Sequence, residues 1–263
     1  MEQKVISEEP IITKSDKMPS MSQAASSGLA ARTSDSSPSE KEDHRATRQR
    51  TRLLLPTQGE DLKACFALRF RYFVQQRGWI PPEKCPDGEE TDRYDPHALH
   101  LAVFGGDKIK AYLRVLPFDP DVGFMLDHEL SAILSPQERE ALPRENAVEL
   151  SRLVCCPGDG CDGGQDTRSI KLLFRQLYHV ALERGFTRFY IVVEAKWLGP
   201  FARRFGLPFQ VVGQSYLFPD GTRTVAATAT VEELEAGLRR RGEDTFRWYC
   251  AQDEDEGMKG AAP

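Results

Sequence analysis

The sequence contains no long hydrophobic run. None of its apolar stretches approaches the about 20 residues that a membrane-spanning helix requires. The N-terminal region also lacks the apolar core of a signal peptide, because charged and small polar residues interrupt every apolar group there. We therefore expect no membrane span and a cytoplasmic location.

The six cysteines do not fall into paired CxxC units. Three of them lie in the run CCPGDGC, at Cys155, Cys156 and Cys161, but no second ligand pair of suitable spacing follows. No metal site is therefore predicted, and free thiols in a reducing compartment are expected. The sequence also lacks a zinc-finger or recognition-helix signature, so nucleic acid is not an expected partner.

The N-terminal 51 residues contain no Phe, Trp or Tyr and are rich in Ser, Glu and Lys. A segment of this composition has too little apolar surface to form a core, so we predict a disordered leader over 1–51. The whole chain has 263 residues, is 40% hydrophobic and carries a net charge of -5, which suits one domain of ordinary size. We predict that domain over 52–249, followed by a flexible acidic tail over 250–263.

The remaining sequence alternates strand and helix patterns. Two alternating apolar segments, LHLAVF and KIKAYLRVL, meet at Gly105-Gly106 and predict a hairpin. Helical patterns occur over 59–78, 124–142, 167–185, 197–206 and 231–241, and further strands are predicted at AVELSRLVC, FYIVV, QVVGQSYLF and TVAATATV. This order predicts an α/β (α+β) fold, in which a mixed central sheet is flanked by helices in a single domain.

A spaced set of arginines, carboxylates and aromatic residues lies between positions 69 and 152. The set consists of Arg69, Phe73, Trp79, Asp92, Asp95, Arg114, Glu149, Ser151 and Arg152. Arginines in apolar surroundings need carboxylate partners, so these residues are expected to form an ordered network. Such a set suits an enzyme that binds a zwitterionic, cationic small molecule and removes a proton from its amine.

The order and spacing of these residues resemble those of the acyl-homoserine-lactone synthases, which make the autoinducers of bacterial quorum sensing. Arg69 precedes Phe73 by four residues and Trp79 by ten, as in that family. The segments ETDRYD at 90–95, YLRVLP at 112–117 and ELSRL at 149–153 are similar to the family's E-x-D-x-F-D, strand-arginine and E-x-S-R-F motifs. The resemblance covers residues 52–218.

The resemblance implies a GNAT-like acyltransferase fold. It also implies S-adenosylmethionine as acyl acceptor and an acyl carrier protein thioester as donor. The products would be an N-acyl-homoserine lactone and methylthioadenosine, and no cofactor is expected beyond S-adenosylmethionine used as a substrate. A neighbouring class, the N-acyl amino acid synthases and exosortase-associated acyltransferases, would instead acylate an amino acid. A non-catalytic binding module on the same fold is a third reading.

Glu149 is predicted to be the general base, because an amine must lose a proton to attack a thioester. Its apolar strand neighbours are expected to raise its pKa. Ser151 lies on the same strand face and is expected to help hold a water, and Arg69 is placed with them in the catalytic set. The structural alternative is that Glu149 serves as an ion-pair partner of an arginine.

The resemblance implies that the acceptor pocket is formed by Phe73, Trp79, Asp92, Asp95, Arg114 and Arg152. Asp92 and Asp95 would pair with cationic groups of the acceptor or with the arginines that shape the pocket. Carboxylates three residues apart are also common in loops, where they cap turns. Aromatic residues near a helix end are core residues by default, so Phe73 and Trp79 carry the same ambiguity.

The segment from Arg168 to Arg204 carries a net charge of +6 in a chain of net charge -5. A basic face suits an acidic acyl carrier protein, and the predicted docking residues are Arg168, Lys171, Arg175, Arg203 and Arg204. A solvated helix face is the plainer alternative. The segments FYIVV and WLGPFARRF are expected to line the acyl tunnel. The glycine-rich run PGDGCDGGQ lacks the Arg/Gln pattern of coenzyme A enzymes, which favours the carrier-protein donor, and an unsubstituted, aryl or branched acyl chain is expected.

Overall fold

The computed structural model describes residues 49–55, 59–156, 167–218 and 221–251. Most of the predicted leader, the acidic residues of the predicted tail and the glycine-rich run that contains Cys161 lie outside these ranges. The domain boundaries that were predicted from composition therefore stay predictions. The structure does place the start of the first strand at Gln49, three residues before the predicted start of the domain.

The fold is built on one seven-stranded sheet. In chain order its strands are β1 (Gln49–Leu54), β2 (Leu99–Gly105), β3 (Lys108–Pro117), β4 (Ala147–Cys155), β5 (Arg188–Glu194), β6 (Gln210–Leu217) and β7 (Arg223–Thr230). Their order across the sheet is β1-β2-β3-β4-β5-β7-β6. β4 and β5 run parallel, whereas the other neighbouring pairs are antiparallel. The mixed sheet predicted from the sequence is confirmed.

In the described ranges, six α-helices accompany the sheet: α1 (Gly59–Arg69), α2 (Pro136–Glu140), α3 (Arg168–Arg184), α4 (Leu198–Pro200), α5 (Val231–Arg240) and α6 (Glu243–Cys250). Two π-helical stretches extend helices, at Phe70–Gln76 after α1 and at Phe201–Phe205 after α4. Short 3₁₀ turns occur at Pro82–Lys84, Asp95–His97, Met125–Asp127, Ser131–Ile133 and Ala195–Trp197. Among the described helices, none is long and apolar enough to cross a bilayer.

Local sequence explains where several of these helices begin and end. Ser135 caps α2 and Thr230 caps α5, each by accepting the backbone N–H of a glutamate three residues later, whose carboxylate returns to the cap. These are capping boxes, as the Ser-Pro-x-Glu pattern at 135–138 predicts. Gly185 ends α3 with φ of 72°, a left-handed conformation that glycine adopts without steric cost.

The two faces of the sheet are covered by different elements. α3 packs on one face, where Leu113 and Val115 of β3 join Leu173 and Leu177 in the largest apolar cluster. The other face carries two smaller clusters, one beneath α1 and its π-helical extension, the other beneath the segment 118–142. Because side chains alternate along a strand, Arg114 points to this second face. The charged motif residues therefore gather between the two smaller clusters.

β4 and β5 diverge after a short parallel ladder. Their pairing covers only Ala147–Leu150 against Arg188–Ile191, although both strands continue beyond it. Strands that lose their partner expose backbone N–H and C=O groups between them. The sheet is therefore open at the carboxyl ends of these two strands, beside the motif residues of β4.

Three local features differ from the sequence-based expectation. The predicted helix 59–78 is an α-helix that becomes a π-helix at Phe70. α6 was not predicted, because its eight residues form only two turns and carry no flanking apolar repeat. Cys155 is disulfide-bonded, so the expectation of free thiols is wrong for this residue, whereas Cys65, Cys85 and Cys250 are free thiols.

Gly237→Ala should destabilise the fold. A Cβ at position 237 would lie 2.3 Å from the backbone oxygen of Gly206, so the two segments must separate. We expect the free energy of unfolding to fall by about 1–3 kcal/mol, despite the better helix propensity of alanine. Gly59→Ala is the matched control, because nothing lies within 4 Å of its Cβ position. Equal denaturation midpoints for both variants would contradict the close approach.

Candidate active site

Three arginines and three carboxylates form one network on the sheet face opposite α3. The arginines are Arg69, Arg114 and Arg152, and the carboxylates are Glu90, Asp92 and Asp95. Their formal charges balance. Arg69, Arg114, Glu90 and Asp95 are almost fully buried, so this balance is what makes their burial tolerable.

Arg69, the last residue of α1, is completely buried. Its Nε donates to Glu90 Oε2 at 2.5 Å, and its Nη1 and Nη2 donate to the two oxygens of Asp95 at 2.6 and 3.1 Å. Nη1 also reaches Tyr112 Oη at 3.3 Å. The guanidinium fork thus joins the helix to the 90–95 loop in a fixed orientation, which a lysine would not reproduce.

Arg114 of β3 is equally buried and connects the loop to β4. Its Nη1 donates to Asp92 Oδ1 at 2.5 Å and to Asp95 Oδ1 at 2.9 Å. Its Nε donates to Ser151 Oγ at 2.9 Å, because Ser151 lies directly opposite Arg114 in the sheet. Its Nη2 faces the Sδ of Met125 at 3.0 Å.

Arg152 joins the network through an irregularity in β4. The register with β3 shifts between Tyr112 and Arg114, and Arg152 has φ of 57°. A positive φ is strained for a long side chain, and a bulge turns the residue towards the site face. Its guanidinium donates to Glu90 and to Asp92, with Nη2 at 3.0 Å from each, and lies 5.4 Å from the centre of the Phe73 ring.

Two of the three carboxylates, Asp95 and Glu90, are held ionised by these contacts. Burial alone would raise the pKa of Asp95, but the charge and hydrogen bonds of Arg69 and the charge of Arg114 outweigh it and lower that pKa to about 2. Burial is likewise outweighed at Glu90, whose pKa is lowered by Arg69 and Arg152. Each carboxylate oxygen of Glu90, Asp92 and Asp95 accepts at least one N–H.

His100, a neutral histidine on β2, contacts the same 90–95 loop. His100 is fully buried on β2, its Nε2 lies 3.2 Å from the backbone oxygen of Asp95, and its Nδ1 lies 2.7 Å from Tyr112 Oη. A carbonyl only accepts, so Nε2 carries the proton and Nδ1 accepts from Tyr112. Burial lowers the pKa of His100, which keeps the ring in this neutral form.

Glu149 is the one carboxylate of the motif set that stands outside this network. It lies on β4 opposite Leu116 and beside Tyr190, and is 1% exposed. Its Oε2 accepts the backbone N–H of Leu126 at 3.4 Å, whereas its buried Oε1 has no hydrogen-bond partner. Among the described residues no ion pair joins Glu149 to an arginine.

Burial raises the pKa of Glu149 from 4.5 to about 7, because the apolar surroundings penalise the charged form. A carboxyl group with this pKa exchanges a proton readily near neutral pH. In the described residues, Glu149 is therefore not the salt-bridge partner of an arginine, which was the structural alternative.

The aromatic residues of the motif set differ in exposure. Phe73 is buried beneath Arg152, whereas Trp79 is 46% exposed and lies 5.9 Å from the Phe73 ring. Arg77 covers the Trp79 ring at 5.0 Å. The half-buried Ser151 and the partly exposed Asp92 both accept a hydrogen bond from Arg114. An exposed tryptophan near a charged network is a suitable surface for a planar or cationic ligand.

The predicted docking residues are not all on the surface. Arg168, Lys171, Arg203 and Arg204 are exposed. Arg175 is buried: its Nη2 donates to the backbone oxygen of Ala251, and its guanidinium lies 4.9 Å from the Trp248 ring. The prediction of Arg175 as a docking residue is wrong, because the unpredicted helix α6 covers it.

Two residues of the site were not predicted from the sequence. Glu90 is the central carboxylate that joins Arg69 to Arg152, and its place in the ETDRYD segment is a signal that could have revealed it. Met125 contacts two arginines through Sδ, and nothing in its own segment indicates this. Within the described part of the chain, no group of three His, Cys, Asp or Glu residues could hold a metal ion.

Residues 68–157 match a family model described as an acetyltransferase (GNAT) domain. This range contains the whole network, Glu149 and the diverging end of β4. The chain has a GNAT-like fold. The predicted fold class is thereby confirmed, and an N-acyltransferase is the enzyme class that this domain supports. A search of curated proteins by sequence gave no match.

Solved structures with this GNAT fold include acyl-homoserine lactone synthases. The CoA-dependent synthase BjaI, determined with S-adenosylmethionine and isopentyl-CoA, aligns with a TM-score of 0.57 at 21% identity over 77% of this chain and 99% of its own. LasI, an acyl-homoserine lactone synthase, aligns with a TM-score of 0.58 at 18% identity over 73% and 95%. FeeM, an N-acyl amino acid synthase from uncultured soil microbes, aligns with a TM-score of 0.50 at 16% identity over 72% and 96%.

Arg69→Lys should destabilise the protein although it keeps the charge. Lysine cannot hold Glu90 and both oxygens of Asp95 at once, which leaves buried carboxylate oxygens without a donor. We expect a loss of about 3–5 kcal/mol in chemical denaturation. Arg52→Lys is the control, because its pair with Asp61 is exposed. Similar unfolding midpoints for the two variants would show that the network does not stabilise the fold.

The stability of the wild type should depend on the charge state of Glu149. Its pKa is higher in the folded protein, at about 7, than the ordinary value of 4.5, so the folded state binds the proton more tightly. Unfolding free energy should therefore fall as pH rises from about 4.5 to about 7, by at most about 3 kcal/mol. Glu149→Gln should lack this component. Parallel pH–stability curves for the two proteins would place the pKa of Glu149 near its ordinary value.

Proposed function

We propose that this chain is an acyl-homoserine-lactone synthase. It transfers an acyl group from a thioester to the amine of S-adenosylmethionine, and lactonisation then releases methylthioadenosine. The carrying observation is Glu149: a buried carboxyl group with a pKa raised to about 7 and one unpartnered oxygen, beside a charge-balanced arginine network. We assign the reaction to the cytoplasm, where both substrates are made.

The proton transfer follows from that geometry. The acceptor nitrogen enters as an ammonium and first loses one proton to become a nucleophilic amine; Glu149 accepts this proton directly or through a water held near Ser151. The amine attacks the thioester carbonyl carbon, a C–N bond forms and the C–S bond breaks, and a second nitrogen proton passes to the leaving sulfur, which departs as a thiol. A base whose pKa lies near working pH is suited to this step, because it is partly ionised before the reaction and binds the proton afterwards.

We propose that the donor enters where β4 and β5 diverge. The unpaired edges of the two strands can accept an extended pantetheine arm between them by backbone hydrogen bonds. The exposed Arg168, Lys171, Arg203 and Arg204 favour an acidic acyl carrier protein as the carrier of that arm. BjaI is a CoA-dependent synthase, so coenzyme A is the donor against which this assignment must be tested.

An N-acyl amino acid synthase is the second candidate, and one observation favours it. The charges of Glu90, Asp92 and Asp95 are already matched by Arg69, Arg114 and Arg152, so none of these three carboxylates is left over to neutralise a sulfonium. A sulfonium would then depend on the aromatic faces of Trp79 and Phe73, as in other cation–π sites. The retention of Trp79 beside the pocket keeps S-adenosylmethionine as the preferred acceptor.

Product identity tests the proposal directly. The purified protein is incubated with S-adenosylmethionine or a mixture of amino acids, each with an acylated carrier protein or acyl-coenzyme A, and products are identified by mass spectrometry. Acyl-homoserine lactone with methylthioadenosine in equal amounts supports the synthase. N-acyl amino acids without lactone would transfer the protein to the second candidate, and turnover with coenzyme A alone would overturn the carrier-protein donor.

Glu149→Gln should lower kcat at least about 100-fold, the usual contribution of a general base. The acid limb of the wild-type pH–rate profile should have a midpoint at about 7, with activity rising as Glu149 loses its proton. Glu145→Gln is the control, because Glu145 is exposed on the loop before β4. Near-normal turnover of Glu149→Gln in a folded state would remove Glu149 from the role of base.

Lys171→Glu combined with Arg204→Glu should raise KM for the carrier-protein donor and leave KM for S-adenosylmethionine unchanged. Both side chains are exposed, and reversing two charges weakens attraction to an acidic partner and its dependence on salt. Lys108→Glu on the β2–β3 hairpin is the control for a change in net charge. An unchanged salt dependence of kcat/KM would place carrier docking on another surface.

A further inference from the structure

Two guanidinium groups of the network point towards the same sulfur atom. Arg114 Nη2 lies 3.0 Å from Met125 Sδ, and Arg152 Nη1 lies 3.9 Å from it. A thioether is a weak hydrogen-bond acceptor, whereas guanidinium N–H groups bind carboxylate oxygens strongly. These two nitrogen atoms therefore meet a weak acceptor, whereas the other nitrogen atoms of the two guanidinium groups donate to carboxylates or, for Arg114 Nε, to Ser151 Oγ.

The carboxylates of the network do not serve these two nitrogen atoms. Asp92 and Asp95 receive Arg114 through Nη1, and Glu90 and Asp92 receive Arg152 through Nε and Nη2. In the described residues, the hydrogen bonds of Arg114 Nη2 and Arg152 Nη1 lead to Met125 alone. These two N–H donors therefore converge on one point, as donors do in an anion-binding site. The group that they meet there is a neutral thioether.

We propose that Met125 occupies the place of the acceptor's α-carboxylate. The carboxylate displaces the thioether and binds between Arg114 Nη2 and Arg152 Nη1. This inference rests on the proposed function, but it holds for either acceptor, because S-adenosylmethionine and free amino acids both carry an α-carboxylate. It identifies the part of the acceptor that binds at this point and the side chain that must move.

The side chain of Met125 is able to move without its backbone. Methionine is unbranched and adopts several rotamers at low cost. The turn around it is fixed by other contacts: Phe124 N–H donates to Asp127, which also pairs with Arg144. Displacement of the thioether thus leaves the turn Met125–Asp127 in place.

The same turn places the base beside the proposed carboxylate position. Leu126, the next residue, donates its backbone N–H to Glu149. The α-amine and α-carboxylate of an amino acid are attached to one carbon atom, so a carboxylate at the Met125 position brings the amine towards Glu149. Charge is also balanced: the network is neutral by itself, and the α-carboxylate and ammonium of the acceptor cancel each other. In S-adenosylmethionine the remaining sulfonium charge is matched by the ionised Glu149, which then takes the ammonium proton.

Substitutions at Met125 test the inference in the full-length protein. Met125→Glu supplies a carboxylate to the two guanidinium groups, so it should raise the melting temperature and weaken S-adenosylmethionine binding at least 100-fold. Met125→Gln has the same shape without the charge and should do neither to that extent. If Met125→Glu lowers the melting temperature more than Met125→Gln does, the site does not favour an anion and the inference is wrong.

Ligand pairs that differ only in the carboxylate provide the second measurement. By calorimetry, wild type should bind S-adenosylmethionine at least tenfold more tightly than decarboxylated S-adenosylmethionine, and an accepted amino acid more tightly than its amide. Met125→Ala, which empties the position, should tighten the carboxylate ligand severalfold and leave the decarboxylated ligand unchanged. Equal affinities within each pair would overturn the carboxylate site.

The two proposals fail in different ways. If no acyl transfer occurs, but Met125→Glu stabilises the protein and carboxylate ligands bind preferentially, the proposed function is wrong and the carboxylate site stands. If acyl-homoserine lactone is made while decarboxylated S-adenosylmethionine binds equally well, the function stands and the carboxylate site is wrong.

Discussion

The buried charge balance between three arginines and three carboxylates is the constraint on which the site depends. Arg69 and Arg114 are completely buried, and a guanidinium group in that position is tolerable only when its N–H groups are satisfied by ionised partners. Those partners come from the 90–95 loop, so the loop, the end of α1, β3 and β4 are fixed relative to one another by the same set of bonds. The network therefore holds these elements together through buried ion pairs, as an apolar core would through packing.

The balance of that network explains the chemistry of its neighbour. Since the arginines are matched by Glu90, Asp92 and Asp95, little positive charge is left to stabilise an ionised Glu149. Burial then dominates and raises its pKa. A chain with one carboxylate fewer in the loop would leave the charge of Arg114 less matched, and that charge lowers the pKa of Glu149. The number of carboxylates in the 90–95 loop and the pKa of Glu149 are thus linked, although the loop carboxylates do not contact Glu149.

The fold class could be predicted from the sequence, and so could the grouping of most residues of the candidate site, because both depend on local patterns. Strand alternation located β2, β3 and β4, and motif spacing located Arg69, Arg114 and Glu149. It failed where tertiary contacts decide: the burial of Arg175 depends on α6, and the contacts of Met125 depend on a turn that reaches across the sheet. A polar helix face that is exposed to solvent has the same local sequence pattern as one that another helix covers. The sequence around Arg175 therefore could not show that this residue is covered.

The bulge at Arg152 changes which face of the sheet the odd- and even-numbered residues of β4 point to. Before it, the even-numbered Val148 and Leu150 pack in the cluster beneath α3, and after it the odd-numbered Cys155 does, while Val154 packs beneath α1. Loss of one residue between 151 and 154 would exchange these faces for the rest of the strand. A substitution here alters one contact, whereas deletion of one residue would exchange the side chains that face α3 with those that face the site. The apolar packing positions of this strand are therefore expected to tolerate substitution far more readily than the strand tolerates a change in its length.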